Sequence, residues 1–135
     1  MAEIEVAGLW ELGWSAPMTE ATLWEYAMRE FGVERLNMTP VSGVDKRWIH
    51  EYENTEAILA DRSHLTPVFV DENAPTELRE FEHPQDVLYL FGKGTFSPFS
   101  TMAEGHLSIK IDSVKGGLMW PHQALAIVLY DRMSR

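Results

Sequence analysis

Lys93 stands between Gly92 and Gly94, directly after a run of apolar residues. A lysine so placed could cradle a phosphate, because glycine lets backbone N–H groups approach an anion closely. A phosphate loop, however, needs G-x-x-x-x-G-K-[ST] opening a helix, and here Thr95-Phe96 follow. The five histidines, at 50, 64, 83, 106 and 122, have neither H-x-x-x-H nor H-x-H spacing, so no metal site is expected. Ser97, Ser100 and Thr101 precede His106 closely enough to suggest a hydroxyl and imidazole pair. No G-x-S-x-G elbow surrounds a serine, and turn formation is the simpler reading. Most carboxylates, Glu25, Glu30 and Glu51 among them, fall on what read as polar helix faces and are expected to be solvated. The five tryptophans have no basic residues interleaved with them, so they read as packing groups and not as a stacking platform for bases.

Composition narrows the classes of function. With 135 residues and 45% hydrophobic content, the chain fits one core, and residues 1–135 are read as a single domain. Cysteine is absent, which excludes disulfides and thiolate metal sites and suits a reducing compartment. No apolar run approaches the roughly 20 residues of a membrane span, and the first residues lack the cationic start of a signal peptide, so a cytoplasmic location is expected. The formal charge of −10, from 21 acidic against 11 basic residues, disfavours unaided nucleic-acid binding, since phosphate affinity comes from Lys and Arg. A local basic patch or a partner protein would have to compensate.

Strand-like and helix-like segments alternate along the chain. Residues 4–9 are β-branched and apolar and read as a first strand. Pro17 and Thr19 open a helix in which Leu23, Trp24, Ala27, Met28 and Phe31 form one apolar stripe opposite Glu25, Arg29 and Glu30, until Gly32 ends it. A short strand over 33–38 closes at Thr39-Pro40, with Ser42-Gly43 as the turn. Residues 45–52 and 55–62 are predicted helical, with Asn54 or Thr55 as the N-cap between them. A third strand covers 65–70, and 71–84 reads as a polar loop with a short helix near 76–81. Residues 86–91 are almost continuously apolar, as in a strand buried on both faces of a parallel sheet. Residues 95–105 read as irregular, 107–111 as a fifth strand, and Gly116-Gly117 as a turn. Pro121 suits the first position of a last helix, whose 124–132 portion is apolar enough to predict packing on more than one side. About five strands separated by helices predict an α/β fold with a parallel sheet. Ligands of such sheets sit beyond the C-terminal ends of the strands, at the residues following Val70, Phe91 and Ile111.

Three segments, in order, resemble the signature regions of the SpoU branch of the SPOUT (α/β-knot) methyltransferases. Ala16-Pro17-Met18-Thr19-Glu20 through Phe31-Gly32-Val33-Glu34-Arg35-Leu36 is similar to the first, a loop and helix ending in F-G-V-x-x-L before a strand. Leu88-Tyr89-Leu90-Phe91-Gly92 looks like the second, a buried strand ending at a glycine. Ile109-Lys110-Ile111, the Gly116-Gly117 turn and residues 118–130 resemble the third, whose helix carries an A-x-A-I-x-L-Y run. The resemblance spans about residues 15–132.

That resemblance implies an RNA ribose 2′-O-methyltransferase type of protein, acting on tRNA or rRNA. It also implies a deep trefoil knot in the C-terminal half, a homodimer, and S-adenosylmethionine held in a bent form largely by backbone groups. Carried over by position, the cofactor contacts fall at Val70, Gly92, Ile111 and Leu118, with Leu90 and Met119 beside them. A homodimer also follows from the apolar last helix, with Trp24 and Trp120 as candidate contributors. The chain departs from the family's pattern where the chemistry is done. Glu20 and Tyr26 stand in place of an asparagine and a catalytic arginine, Gly94 in place of a glutamate, and Trp120 and His122 in place of an asparagine and a serine. A ribose hydroxyl is a poor nucleophile at neutral pH and needs help to lose its proton. Arg29 and His122 are the nearest substitutes, and no residue is assigned a catalytic role by sequence. Three readings follow: a methyltransferase with an altered site, a non-catalytic knotted dimer serving as a binding or regulatory module, and an unrelated α/β domain.

Overall fold

The computed structural model describes residues 2–9, 17–41, 47–92, 99–113 and 119–135. Along the chain, β1 (Ile4–Gly8) is followed by α1 (Pro17–Glu30), β2 (Leu36–Met38), β3 (Ile49–Glu51), α2 (Thr55–Asp61) and β4 (Thr66–Val70). Then come β5 (Thr76–Glu77), a 3-10 turn (Leu78–Glu80), β6 (Val87–Phe91), α3 (Phe99–Ala103), β7 (Leu107–Lys110) and α4 (Pro121–Met133). The strands form one sheet in the order β3-β2-β1-β6-β4-β7-β5. Every pairing is parallel, including β1 with β6 (Val6 opposite Tyr89) and β4 with β6 (Val68 opposite Tyr89).

The central strand β6 is buried along its whole length, as its unbroken apolar run requires. Its residues alternate between two cores. Val87, Tyr89 and Phe91 join Trp24 and Met28 of α1 and Leu125 and Val128 of α4 on one face. Leu88 and Leu90 join Ile58 of α2 and Phe99 and Ala103 of α3 on the other. Helices thus cover both faces, as an all-parallel sheet demands.

Local signals that the sequence carries are realised at the helix ends. The Asn54 side chain accepts a hydrogen bond from the Ala57 N–H at 2.9 Å and caps α2. α1 stops in a Schellman turn: Gly32 takes a φ of 72°, its N–H reaches the Arg29 carbonyl, and the Val33 N–H reaches that of Met28. Val33 and Met28 both enter the core, which completes the motif.

Five expectations are corrected. Among the described residues the sheet has seven strands, not five. Of 45–52, residues 49–51 form an edge strand paired with β2, so Glu51 is a strand residue and not on a helix face; residues 42–46, with the Ser42-Gly43 turn, lie outside the described residues. An edge strand tolerates a polar string such as His50-Glu51 because one side faces water, and that made the segment look like a solvated helix. Near 76–81 the chain forms the short β5 and a 3-10 turn, and the stretch read as irregular contains α3. Finally, α4 buries Pro121, Ala124, Leu125, Val128 and Leu129 along one side only, and leaves Ile127, Tyr130 and Met133 exposed. No helix among the described residues is long and apolar enough to cross a membrane.

Candidate functional site

The parallel arrangement brings the C-terminal ends of β4, β6 and β7 together beside the first turn of α4. Val70 ends β4, Gly92 follows β6, Ile111 follows β7 and Met119 precedes α4, and all four line one cleft. Phe91, Pro121 and Ala124 complete its apolar walls, and Asp71 and Glu72 supply carboxylates. Leu90 faces away from it, in the core under α2 and α3, because adjacent residues of a strand point to opposite faces. Leu118, like Lys93, Gly94, Gly116 and Gly117, lies outside the described residues.

The cleft holds a cavity of about 40 Å³, enough for a water or two, so a nucleoside would have to widen it. Asp71 is buried at its edge. Its N–H continues the sheet by donating to the Ile109 carbonyl at 2.9 Å, and its Oδ1 accepts from the Ser100 hydroxyl at 3.1 Å and the Asn73 N–H at 3.3 Å. Ser100 is therefore tied to a carboxylate and not to His106, whose ring lies 5.3 Å from that of Phe69.

Gly92 owes its small size to the opposite side of the strand. A Cβ there would sit 2.7 Å from Phe99 Cδ1 and 2.9 Å from Leu9 Cδ1, so side-chain packing, and not the cleft, fills the space it leaves.

The first turns of α1 and α4 are joined. Nδ1 of His122 lies 2.9 Å from Oε1 of Glu20, with the two side chains only 19% and 12% exposed. The carboxylate can only accept, so Nδ1 carries the hydrogen and the lone pair of a neutral ring is on Nε2. These are two of the positions at which the sequence departs from the SpoU pattern. Tyr26, a third, projects into solvent. Arg29 lies at the far end of α1, 69% exposed and paired with Glu25 at 3.4 Å, so it is not part of the cleft.

Two further polar clusters were not legible in the spacing. His83 takes a hydrogen bond from the Tyr89 hydroxyl on Nδ1 at 2.6 Å and donates from Nε2 to Asp131 at 2.7 Å. Arg132 adds bonds to the Tyr89 hydroxyl and the Pro84 carbonyl, so α4 is clamped to β6. Burial first, and then the Arg132 and Arg135 charges, hold the His83 imidazole below its ordinary range although Asp131 would raise it. At the start of β1, ligating atoms of Glu3, Glu5 and His64 gather within 4.8 Å of one another. Arg62 already answers the buried Glu5 carboxylate at 2.6 Å. Burial would raise that carboxyl, but the hydrogen bonds, from Arg62 first, hold it below its ordinary range.

No family model matches the sequence, and no curated protein matches it by sequence. Solved structures do match. A TrmH/SpoU tRNA modifying enzyme from A. aeolicus superposes with a TM-score of 0.76 at 14% identity, covering 99% of this chain and 75% of that one. A structure concerned with 2-OH methylation of C/U34 on tRNA gives 0.73 at 14% identity over 99% of both chains. The SpoU methyltransferase AviRb from Streptomyces viridochromogenes, in complex with AdoMet, gives 0.73 at 13% identity over 98% of this chain and 57% of its own. The chain has the SpoU methyltransferase fold.

Within the SpoU fold, sequence resemblance and geometry agree on the element order of the three signature regions. The first supplies α1 and Glu20, the second β6 and Gly92, and the third Ile111, Met119 and α4 with His122. The joining of Glu20 to His122 was missed by sequence reasoning because 102 residues separate them. The only signal available was that both stand at altered positions of one signature set.

Proposed function

We propose that this protein binds S-adenosylmethionine in the cleft and belongs functionally with the RNA methyltransferases, with ribose 2′-hydroxyls of tRNA or rRNA as the acceptor class. The observation that carries the reading is the convergence of Val70, Gly92, Ile111 and Met119 on one cleft at the C-terminal edge of a SpoU-fold sheet. The residues suit the group. An adenine would be held by the apolar walls of Val70, Ile111, Met119 and Ala124, and Asp71 and Glu72 would attract the cationic amino-acid end. Bound there, S-adenosylmethionine supplies a methyl activated by a sulfonium. Leu90 would act from behind, setting the position of the β6 end, and Leu118 completes the proposed contact set.

The same reading includes one domain over 1–135, a trefoil knot in the C-terminal half and a homodimer. Exposed apolar residues on α1 (Met18, Leu23, Tyr26) and on α4 (Ile127, Tyr130, Met133), two helices that pack against each other, support the dimer.

A second reading, a non-catalytic binding or regulatory module, is favoured by charge. The described cations Arg29, Arg35, Arg62, Arg79 and Arg135 all lie within 4 Å of a carboxylate, and the net charge of −10 opposes a polyanion.

Calorimetric titration with S-adenosylmethionine and S-adenosylhomocysteine tests the cofactor reading. Binding should stabilise the fold by about 2.7 kcal/mol at a hundredfold excess over Kd, and Ile111→Trp should weaken it at least about tenfold by filling the cleft. No heat and no thermal shift with either nucleoside would refute the reading. If both bind but purified tRNA and rRNA accept no methyl even with cell extract supplying a partner, the second reading stands.

A further inference from the structure

Resting on the cofactor reading of the cleft, we propose that Asp71 is its specificity-determining residue. Its Oδ2 takes the primary ammonium of the ligand, so the ligand class is an amino-alkyl thio-adenosine, with or without a carboxylate.

The fold sets the position. Asp71 comes directly after Val70, the last residue of β4, and both line the cleft. The residue is buried, and its two carboxylate oxygens have different surroundings. Oδ1 accepts from the Ser100 hydroxyl at 3.1 Å and from the Asn73 N–H at 3.3 Å. The Asn73 side-chain amide donates to the Ser100 oxygen at 3.3 Å, which leaves the single hydroxyl hydrogen of Ser100 for Asp71. This ring of bonds holds the carboxylate in one orientation. Oδ2 takes no hydrogen bond from a described residue, yet it is not enclosed: among the described residues, the buried side-chain polar atom without a partner is Trp24 Nε1. Oδ2 therefore opens on the space that Asp71 lines.

The chemistry calls for a cation there. Both donors to Asp71 are neutral, a hydroxyl and a backbone amide. Two such bonds return less than it costs to withdraw a charge from water, and a cationic donor on the free oxygen restores the balance. A ribose hydroxyl could reach the same oxygen but would leave the charge unanswered. The cavity of about 40 Å³ accepts a group the size of a water, which an ammonium is, before the nucleoside widens the rest. The charged residues described in the lining are Asp71 and Glu72, so a carboxylate on the ligand meets like charge and an ammonium meets opposite charge.

Calorimetric titration of the full chain with three nucleosides of neutral sulfur tests the assignment. Methylthioadenosine has no amino-alkyl chain, S-adenosylhomocysteine has ammonium and carboxylate, and decarboxylated S-adenosylhomocysteine keeps the ammonium alone. The unaltered chain should bind the decarboxylated compound at least as tightly as S-adenosylhomocysteine, and at least about tenfold more tightly than methylthioadenosine. Asp71→Asn should weaken both ammonium-bearing ligands about tenfold or more and leave methylthioadenosine within about twofold. Equal affinity of the unaltered chain for all three would overturn the proposal and leave the cofactor reading intact. An equal loss of all three in Asp71→Asn would overturn it as well, by assigning Oδ2 to the nucleoside. Tighter binding of S-adenosylhomocysteine than of its decarboxylated form, by about tenfold, would show that the carboxylate is what the cleft reads. If Asp71→Asn does not fold, Ser100→Ala takes its place; it loosens the carboxylate and should weaken the same two ligands about threefold, and no loss would count against Asp71. If none of the three binds, the cofactor reading falls with the proposal.

Discussion

His122 and Glu20 meet at 2.9 Å although 102 residues separate them, and the contact ties the first turn of the last helix to the first turn of the first. Both lie near a helix N-terminus, where a carboxylate is favoured by the helix dipole and by free backbone N–H groups. The pair should also contribute to stability. In a double-mutant cycle of Glu20→Ala and His122→Ala, urea unfolding is expected to give a coupling of about 1 kcal/mol. Strictly additive single variants would mean that the contact contributes nothing to folding.

Gly92→Val should damage the fold from behind the cleft. The new side chain would collide with Phe99 and Leu9, where a Cβ alone comes within 2.7 Å and 2.9 Å of their carbons. Overpacking of this kind costs about 1–3 kcal/mol. Adding Phe99→Leu should recover part of the loss in denaturant unfolding. Absence of recovery would indicate that backbone strain, and not Phe99, is responsible.

Stability should fall on mild acidification. His83 is neutral and bonded on both ring nitrogens, and burial holds its folded pKa below the ordinary 6.5. A group whose folded pKa is depressed lends stability above its unfolded pKa and loses it as pH falls toward the folded value. Asp131 acts in the same direction at lower pH, since the bonds from His83 and Arg135 outweigh the burial that would raise it. Melting temperature should therefore decline as pH drops from about 7 toward 5, and His83→Gln should flatten that part of the curve. An identical slope in the variant would assign the effect to another group.

The apolar face of α1 and α4 should drive self-association. Ile127 and Tyr130 lie on the exposed side of α4, and Ile127→Glu with Tyr130→Glu should give monomers by sedimentation at micromolar concentration while the unaltered chain sediments as a dimer. A monomeric unaltered chain would defeat the dimer.

The sequence alone determined the elements whose signals are local. The apolar run of β6, the Gly32 stop of α1, the Asn54 cap and the Pro121 start of α4 each depend on residues within a turn or two of one another, and each formed as read, whereas of the α1 stripe Trp24 and Met28 are buried and Leu23 is exposed. The order of three signature regions was likewise enough to indicate the SpoU fold. Tertiary structure decided the rest. Residues 49–51 became a strand because β2 offered an edge to pair with, and 76–77 because β7 did, which no local preference records. Sequence spacing likewise gave no way to join Glu20 to His122, His83 to Asp131, or Ser100 to Asp71. Those contacts exist because the parallel sheet returns every strand to the same end of the molecule. Polar side chains far apart along the chain then become neighbours, and they must find partners once they leave water.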